Sequence, residues 1–246
     1  MSSTRYILIF TITMCVAVAL MLSGMFYATK PAADRNEVVF NKRAILAAVG
    51  NYLPKPLASM SDEEVLQVFD NQVKPIAINM QGEELPEVQA DQIDMGKERK
   101  KPEADRVLPF FIYSAENGDQ YYIMSVRGSG LWDEIWGNIA LRSDLNTVAG
   151  ASFDHKAETP GLGAEIKDNP SFPRQFIDRQ IYADDKLVAI TVRKGGVRNP
   201  LHEVDGISGA TITGDGVSEM LQRGLGYYQP YLERLRAQGG GTSMNN

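Results

Sequence analysis

The sequence is short of the side chains on which most metal and thiol redox proteins depend. It holds one cysteine, Cys15. A single thiol excludes an internal disulfide, a C-x-x-C redox pair and a cysteine ligand set for an iron–sulfur cluster. Two histidines, His155 and His202, are too few for a histidine-rich metal centre, and no metal site is expected. Basic residues are outnumbered, 25 Lys and Arg against 31 Asp and Glu, for a net charge of −6. That balance argues against nucleic acid as a partner. A dinucleotide fingerprint is also missing. Residues Arg127 to Gly130 read R-G-S-G, but no βαβ setting surrounds them. Redox chemistry in this chain would therefore fall to an organic cofactor.

Charge is absent from one further place. Ile7 to Ala28 carries no charged side chain, and Tyr6 and Tyr27 stand at its ends. About 20 apolar residues cross a bilayer as a helix, with aromatics at the interfaces. A cleaved signal peptide would have a shorter apolar run and a small-residue cleavage site, so a retained span at about 7–28 is expected within an anchor of residues 1–30. Arg5 on one side and Lys30 and Arg35 on the other nearly balance the positive-inside count.

The remainder reads as an α+β domain. Asn41 to Leu53 has helical apolar spacing and ends at Pro54. Ser61 and Glu64 form a capping box that opens a short helix through Phe69. Val73 to Met80 reads as a strand. Residues 81–106, acidic and then basic, read as an exposed, solvated excursion. Val107 onward and Gln120 onward are strand-like runs joined by a turn at Glu116 to Asp119, a hairpin. Thr147 to Phe153 and Leu187 to Arg193 are two more strands, and Asn169 to Phe176 is irregular. A helix is expected from Val217 towards Leu235, kinked or broken at Pro230, followed by a disordered tail over 237–246.

Three glycine-bearing loops carry the chemistry: Gly128 to Gly137, Glu158 to Gly163 and Asp205 to Thr211. The first holds Trp132 and Trp136, a cofactor platform or a packed face. The second offers Thr159, Leu162 and the amides of Gly161 and Gly163. The third, D-G-I-S-G-A-T, brings the hydroxyls of Ser208 and Thr211 to a helix start, which suits a phosphate or simply a capped turn.

On these residues the chain resembles the C subunits of the sodium-translocating NADH:quinone oxidoreductases. The matching pieces are the N-terminal span, G-S-G-L-W-D-E-I-W-G-N-I-A-L, H-K-A-E-T-P-G-L-G and D-G-I-S-G-A-T. The resemblance implies a single transmembrane helix followed by one FMN-binding α+β domain, with its core over 107–236 and residues 31–106 as helices and excursion. It implies that a flavin transferase, using FAD and Mg²⁺, joins FMN to Thr211 by a phosphoester. Ser208, Gly209 and Ala210 would serve the phosphate and its attachment. Asp205 would orient the loop or engage the transferase. Thr213 is the rival acceptor outside the motif. Trp132 and Leu162 would lie against the flavin ring, Glu158, Thr159 and Gly163 at its polar edge or ribityl chain, and Lys194 near the phosphate or ring. A solvated strand-end lysine is the other reading of Lys194, and His155 is read as a structural hydrogen-bonder. No residue of this chain is expected to be catalytic. The implied role is electron relay within a membrane complex whose other subunits handle NADH, quinone and sodium. The implied location is the bacterial inner membrane, with the N-terminus cytoplasmic and the domain periplasmic. The G subunit of the Rnf-type ferredoxin:NAD⁺ oxidoreductases shares the anchor and the S-G-A-T signal and is the close alternative. A non-redox anchored assembly or sensory module is the distant one.

Overall fold

A computed structural model of the chain describes residues 3–240. It divides into two compact units, residues 1–41 and 42–246. The first unit is helical. Helix α1, Ser3–Ala47, begins there and contains the charge-free run, whose side chains are exposed. Among the described residues it is the one helix long and apolar enough to cross a membrane. Pro31 lies inside it without ending it. Just before Pro31 the hydroxyl of Thr29 donates to the carbonyls of Met25 and Phe26. The separate helix expected over 41–53 is thus the end of α1. It stops at Ala47, and a single 3₁₀ turn, Gly50–Tyr52, follows.

The second unit is built on a five-stranded antiparallel sheet in the order β1-β2-β3-β4-β5. The strands are β1 (Val73–Asn79), β2 (Val107–Ser114), β3 (Gln120–Ser129), β4 (Glu134–Leu141) and β5 (Val148–His155). Helix α2, Asp62–Gln72, precedes β1 and starts at the expected capping box. The Ser61 side chain accepts from the Glu64 amide, and the Glu64 carboxylate accepts from the Ser61 amide. Pro75 is tolerated because β1 is an edge strand. The β2–β3 turn forms as expected, with Gly118 at φ +90°. The glycine-bearing stretch Gly128 to Gly137 proves to be the β3–β4 hairpin.

Both faces of the sheet are covered, which is why β2 reads as a continuous apolar run instead of alternating. On one face lies α6, Thr211–Gly240. Phe110 meets Tyr228 and Tyr231 there, and the Tyr228 hydroxyl donates to the carbonyls of Pro109 and Ser125. Gly128 and Gly224 let α6 approach β3. A Cβ on Gly128 would lie 2.6 Å from Met220 Cβ, and one on Gly224 2.7 Å from Val126 Cγ1. On the other face Phe111 meets Phe69 of α2, and Tyr121 stacks on Tyr52 at 4.1 Å. Asn138 and Ser152 both donate to the Ala44 carbonyl, tying the end of α1 to β4 and β5.

Elsewhere the sequence expectations are corrected. Residues 81–106 are not merely solvated. They hold the short helix α3, Met95–Glu98, between two 3₁₀ turns, and Ala90 is buried. Within the charge run Arg99 donates to the Gly128 carbonyl and the Ser129 hydroxyl, and Arg106 donates to Tyr227 Oη. The helical turns α4 (Glu165–Asp168) and α5 (Ser171–Arg174) follow β5. Phe172 and Phe176 are buried against Phe153, so the stretch expected to be irregular is a packed part of the core. The strand expected over 187–193 is broken. The pair β6 (Tyr182–Ala183) and β7 (Lys186–Leu187) comes first, Ala189 takes φ +52°, and β8 is Thr191–Arg193. Parallel to β8 runs β9, Glu203–Asp205, which sequence reading did not find. Helix α6 begins at Thr211, six residues before the expected start, and passes through Pro230. Residues 237–240 of the expected tail are helical, and 241–246 lie outside the described residues.

Candidate functional site

The three loops singled out in the sequence meet at one end of the sheet, beside the start of α6. Their junction is the carboxylate of Glu158, which is only 5% exposed. Oε1 accepts from the backbone amide of Trp132 at 3.0 Å, and Oε2 accepts from the Thr213 hydroxyl at 2.7 Å. The Glu158 amide in turn donates to His155 Nδ1, which gives that histidine the structural role expected of it. Two glycines make room for this carboxylate. A Cβ on Gly130 would overlap Oε1, and a Cβ on Gly163 would overlap Oε2 and the Thr213 hydroxyl.

Around that knot stands an apolar rim. Trp132, on the turn between β3 and β4, is 68% exposed, and its indole N–H donates to Thr159 Oγ1 at 3.0 Å. Leu131, Leu162 and Ile212 are exposed beside it in sequence or on the neighbouring loops. Leu162 touches the motif loop directly, since a Cβ on Gly209 would come within 2.7 Å of its Cδ2. Leu131 and Trp132 share the β3–β4 turn, Leu162 lies on the second loop and Ile212 in the first turn of α6. Trp136 is excluded from the rim. It lies in β4 with the Arg127 guanidinium over its ring at 5.0 Å.

The motif loop leaves β9 and enters α6. Its start is fixed by main-chain bonds: the Asp205 amide donates to Gln175 Oε1, and the Gly206 amide to the Arg193 carbonyl. The Asp205 carboxylate accepts from the Val197 amide at 3.1 Å, so in this structure it orients the loop. Gly206 therefore lies against the strand end that carries exposed Lys194. Below it, Arg193 donates to Glu203, and Glu203 also accepts the amides of Arg198 and Asn199. These donors, the guanidinium first, hold the Glu203 carboxyl well below the usual range, at about 2. Gly209 has φ +77°, a left-handed conformation that suits glycine, and Ala210 is buried behind it.

Thr211 is then the first residue of a 30-residue helix and is half-buried, with Ser208 exposed just before it. The first amides of a helix have no partner within it, and the dipole adds partial positive charge there. An anion attached to the Thr211 hydroxyl would meet that end. Thr213 is 1% exposed and hydrogen-bonded to Glu158, so the rival hydroxyl is turned inward. Residues two apart on a helix face different ways.

Trp132, Glu158, Thr159, Leu162, Gly163, Asp205, Ser208, Gly209, Ala210 and Thr211 come together on the converging loops, with Lys194 on the adjoining turn. Glu158 and Gly163 are buried in the knot itself, and Thr159 is already engaged with the indole. Sequence reading missed Ile212 and Arg99. Ile212 carried a signal, since it falls off the apolar stripe that Val217, Leu221, Leu225 and Tyr228 define and is 58% exposed. Arg99, which grips the end of β3, carried none among its lysine neighbours. Among the described residues no group of histidine, cysteine, aspartate and glutamate could hold a metal.

Residues 130–226, which contain Trp132, Glu158 and the motif loop, match the FMN-binding domain family. The chain is 32% identical to the C subunit of the Na(+)-translocating NADH-quinone reductase of Pseudomonas aeruginosa, over 96% of this chain and 97% of that one. It is 28% identical to the protein of the same name from Yersinia pestis, over 93% and 92%. Among solved structures it resembles the C subunit of this reductase from Parabacteroides distasonis, with a TM-score of 0.73 and 33% identity, covering 82% of this chain and 96% of that one. It also resembles NqrC of Shewanella oneidensis, with a TM-score of 0.69 and 27% identity, covering 84% and 99%. These relatives all bear the name of the NADH-quinone reductase component, and the Rnf alternative is set aside. With an apolar helix long enough to cross a membrane, an α+β domain and a relative 32% identical over nearly the whole chain, this protein belongs to the C-subunit family of the Na(+)-translocating NADH-quinone reductases.

Proposed function

We propose that this chain carries FMN joined by a phosphoester to Thr211 and relays electrons between redox centres of the sodium-translocating NADH:quinone reductase complex. The observation that carries the reading is the position of Thr211. It is a hydroxyl at the first residue of a long helix, next to a loop that Leu162 touches and free of the bond that holds Thr213.

The residues fit the group. A phosphoester needs a hydroxyl, and Thr211 has one at the positive end of α6. The left-handed Gly209 keeps a side chain out of the approach to it, and Ser208 is at hand to donate to a phosphate oxygen. Trp132 gives an exposed aromatic face held by Thr159, and Leu131, Leu162 and Ile212 extend it. Exposed Lys194 supplies positive charge beside the motif loop. FMN, when attached, supplies the electron-accepting ring. Attachment is a group transfer. The Thr211 oxygen forms a bond to the FMN phosphorus of FAD, the pyrophosphate P–O bond breaks, AMP leaves, and the hydroxyl proton passes to a base of the transferase. The partners implied are a Mg²⁺-dependent flavin transferase during maturation and the other subunits of the complex. The reading places the chain in the bacterial inner membrane with its N-terminus cytoplasmic and its flavin domain periplasmic. Covalent attachment then keeps the cofactor in a compartment that does not make it.

The test is mass spectrometry of the full chain co-expressed with a flavin transferase. An FMN-sized adduct is expected on the tryptic peptide spanning 199–223, mapped by fragmentation to Thr211, and none in Thr211→Ala. A wild-type peptide with no adduct, beside a control protein that the same transferase modifies, refutes the reading and favours the anchored non-redox module.

A further inference from the structure

The buried carboxylate of Glu158 accepts from two donors within the loop cluster. It bridges two segments that are far apart in sequence, 26 residues to Trp132 in one direction and 55 to Thr213 in the other. Both partners are neutral, a backbone amide and a hydroxyl. Two glycines, Gly130 and Gly163, leave the space it fills. A buried carboxylate held this way acts as a strap: each oxygen has a directional donor, and moving either segment leaves a buried polar group unpaired. One segment is the turn that exposes Trp132. The other is the first turn of α6, two residues beyond Thr211.

We propose that Glu158 is a positioning residue for flavin attachment. By holding the Thr213 hydroxyl it fixes the rotation of the first turn of α6, so that Thr213 is kept inside the knot and Thr211 is left outside it. By holding the Trp132 amide it sets the aromatic platform in register with that hydroxyl. One carboxylate thus selects between two threonines of the same helix turn and couples the chosen one to the ring platform. Glu158 does this without touching the cofactor, in contrast to the ring-edge contact that the sequence resemblance implies. The inference rests on the reading that Thr211 is the flavinylated residue.

The experiment measures the rate of FMN attachment to the full apo-chain in detergent, with purified transferase, FAD and Mg²⁺, well below the unfolding temperature. Thr213→Val removes the bridging hydroxyl with little change of shape. It is expected to slow attachment at Thr211 at least about tenfold, since small misplacements of a reacting group cost rate steeply. Thr213→Ser restores the hydroxyl and is expected to return the rate to within about twofold. Glu158→Ala should match Thr213→Val. Glu158→Gln, whose amide can accept from Trp132 and donate to Thr213, should keep most of the rate. If Glu158→Ala does not fold, the Val and Ser pair at 213 decides alone. A merely structural role lowers the melting temperature and leaves the rate of the folded protein unchanged, and that result overturns the proposal. Wild-type attachment with every variant unaffected also overturns it and leaves the Thr211 reading standing. A wild-type chain that takes no adduct at Thr211 overturns both.

Discussion

Replacing Gly163 with alanine puts a methyl group into the Glu158 knot. The added Cβ would overlap the Glu158 carboxylate and sit 2.6 Å from Thr213 Oγ1, in a buried position that solvent cannot relieve. Overpacking of this kind costs about 1–3 kcal/mol. For a domain of roughly 200 residues each kcal/mol lowers the melting temperature by about 2–4 °C, so a drop of roughly 2–12 °C is expected. Gly161 is the control. It has φ +73° and open space where its Cβ would stand, so Gly161→Ala strains the backbone by about 1–2 kcal/mol without touching Glu158. Stability alone does not separate the two variants, but two further measurements do. Gly163→Ala should lose flavin attachment and Gly161→Ala should keep it, read as protein-bound flavin fluorescence after denaturing electrophoresis. A double-mutant cycle of Gly163→Ala with Thr213→Ala, followed by thermal unfolding in detergent, should show coupling of at least about 0.5 kcal/mol, because removing the Thr213 hydroxyl removes one of the overlapping atoms. Strict additivity, or a Gly163→Ala protein with wild-type melting and full flavin content, would refute the packing argument.

Two other outcomes follow from the site. Trp132→Ala should weaken stacking of the flavin ring by about 0.5–1.5 kcal/mol beyond the area lost, seen as a changed flavin absorption spectrum and midpoint potential. An unchanged spectrum and potential would mean that the exposed indole serves something else. Glu203, held at about 2 by Arg193 and two amides, contributes stability that is fully present above the ordinary carboxylate value and is lost as pH falls towards 2. Unfolding midpoints measured from pH 6 down to pH 2.5 should therefore decline, and Glu203→Gln should be less stable at pH 6 with a flatter decline. Parallel curves for the two proteins would show that the Arg193–Glu203 contact is not part of the acid response.

Much of this protein is legible in its sequence because much of it is local. The charge-free run from Ile7 to Ala28 decides the anchor by length and composition alone. The capping box at Ser61 and Glu64 and the turn at Glu116 to Asp119 decide their own geometry within four residues, and both form as read. The acceptor motif is legible for the same reason: its glycines, hydroxyls and helix start are consecutive. Where reading failed, a distant partner had intervened. Arg99 looked solvated among lysines because its acceptors, Gly128 and Ser129, lie about 30 residues away. Leu187 to Arg193 looked like one strand because nothing local announces that Ala189 takes φ +52° and that β8 pairs with the unread β9. Helix α6 starts at Thr211, directly after a loop tied to Gln175 and Arg193, so the turn of the motif feeds the helix at once and the last motif residue is the first of the helix.

The sequence by itself thus determined the anchor, the α+β class, the family and the threonine that its motif points to. Only the tertiary structure decided which of two nearby threonines is buried and hydrogen-bonded, that Trp132 and not Trp136 is presented, and that the Glu158 carboxylate ties the Trp132 amide to the Thr213 hydroxyl. The physical reason is separation along the chain. Glu158, Trp132 and Thr213 act through hydrogen bonds that close over dozens of residues, and no local pattern encodes such a meeting until the sheet and α6 have packed.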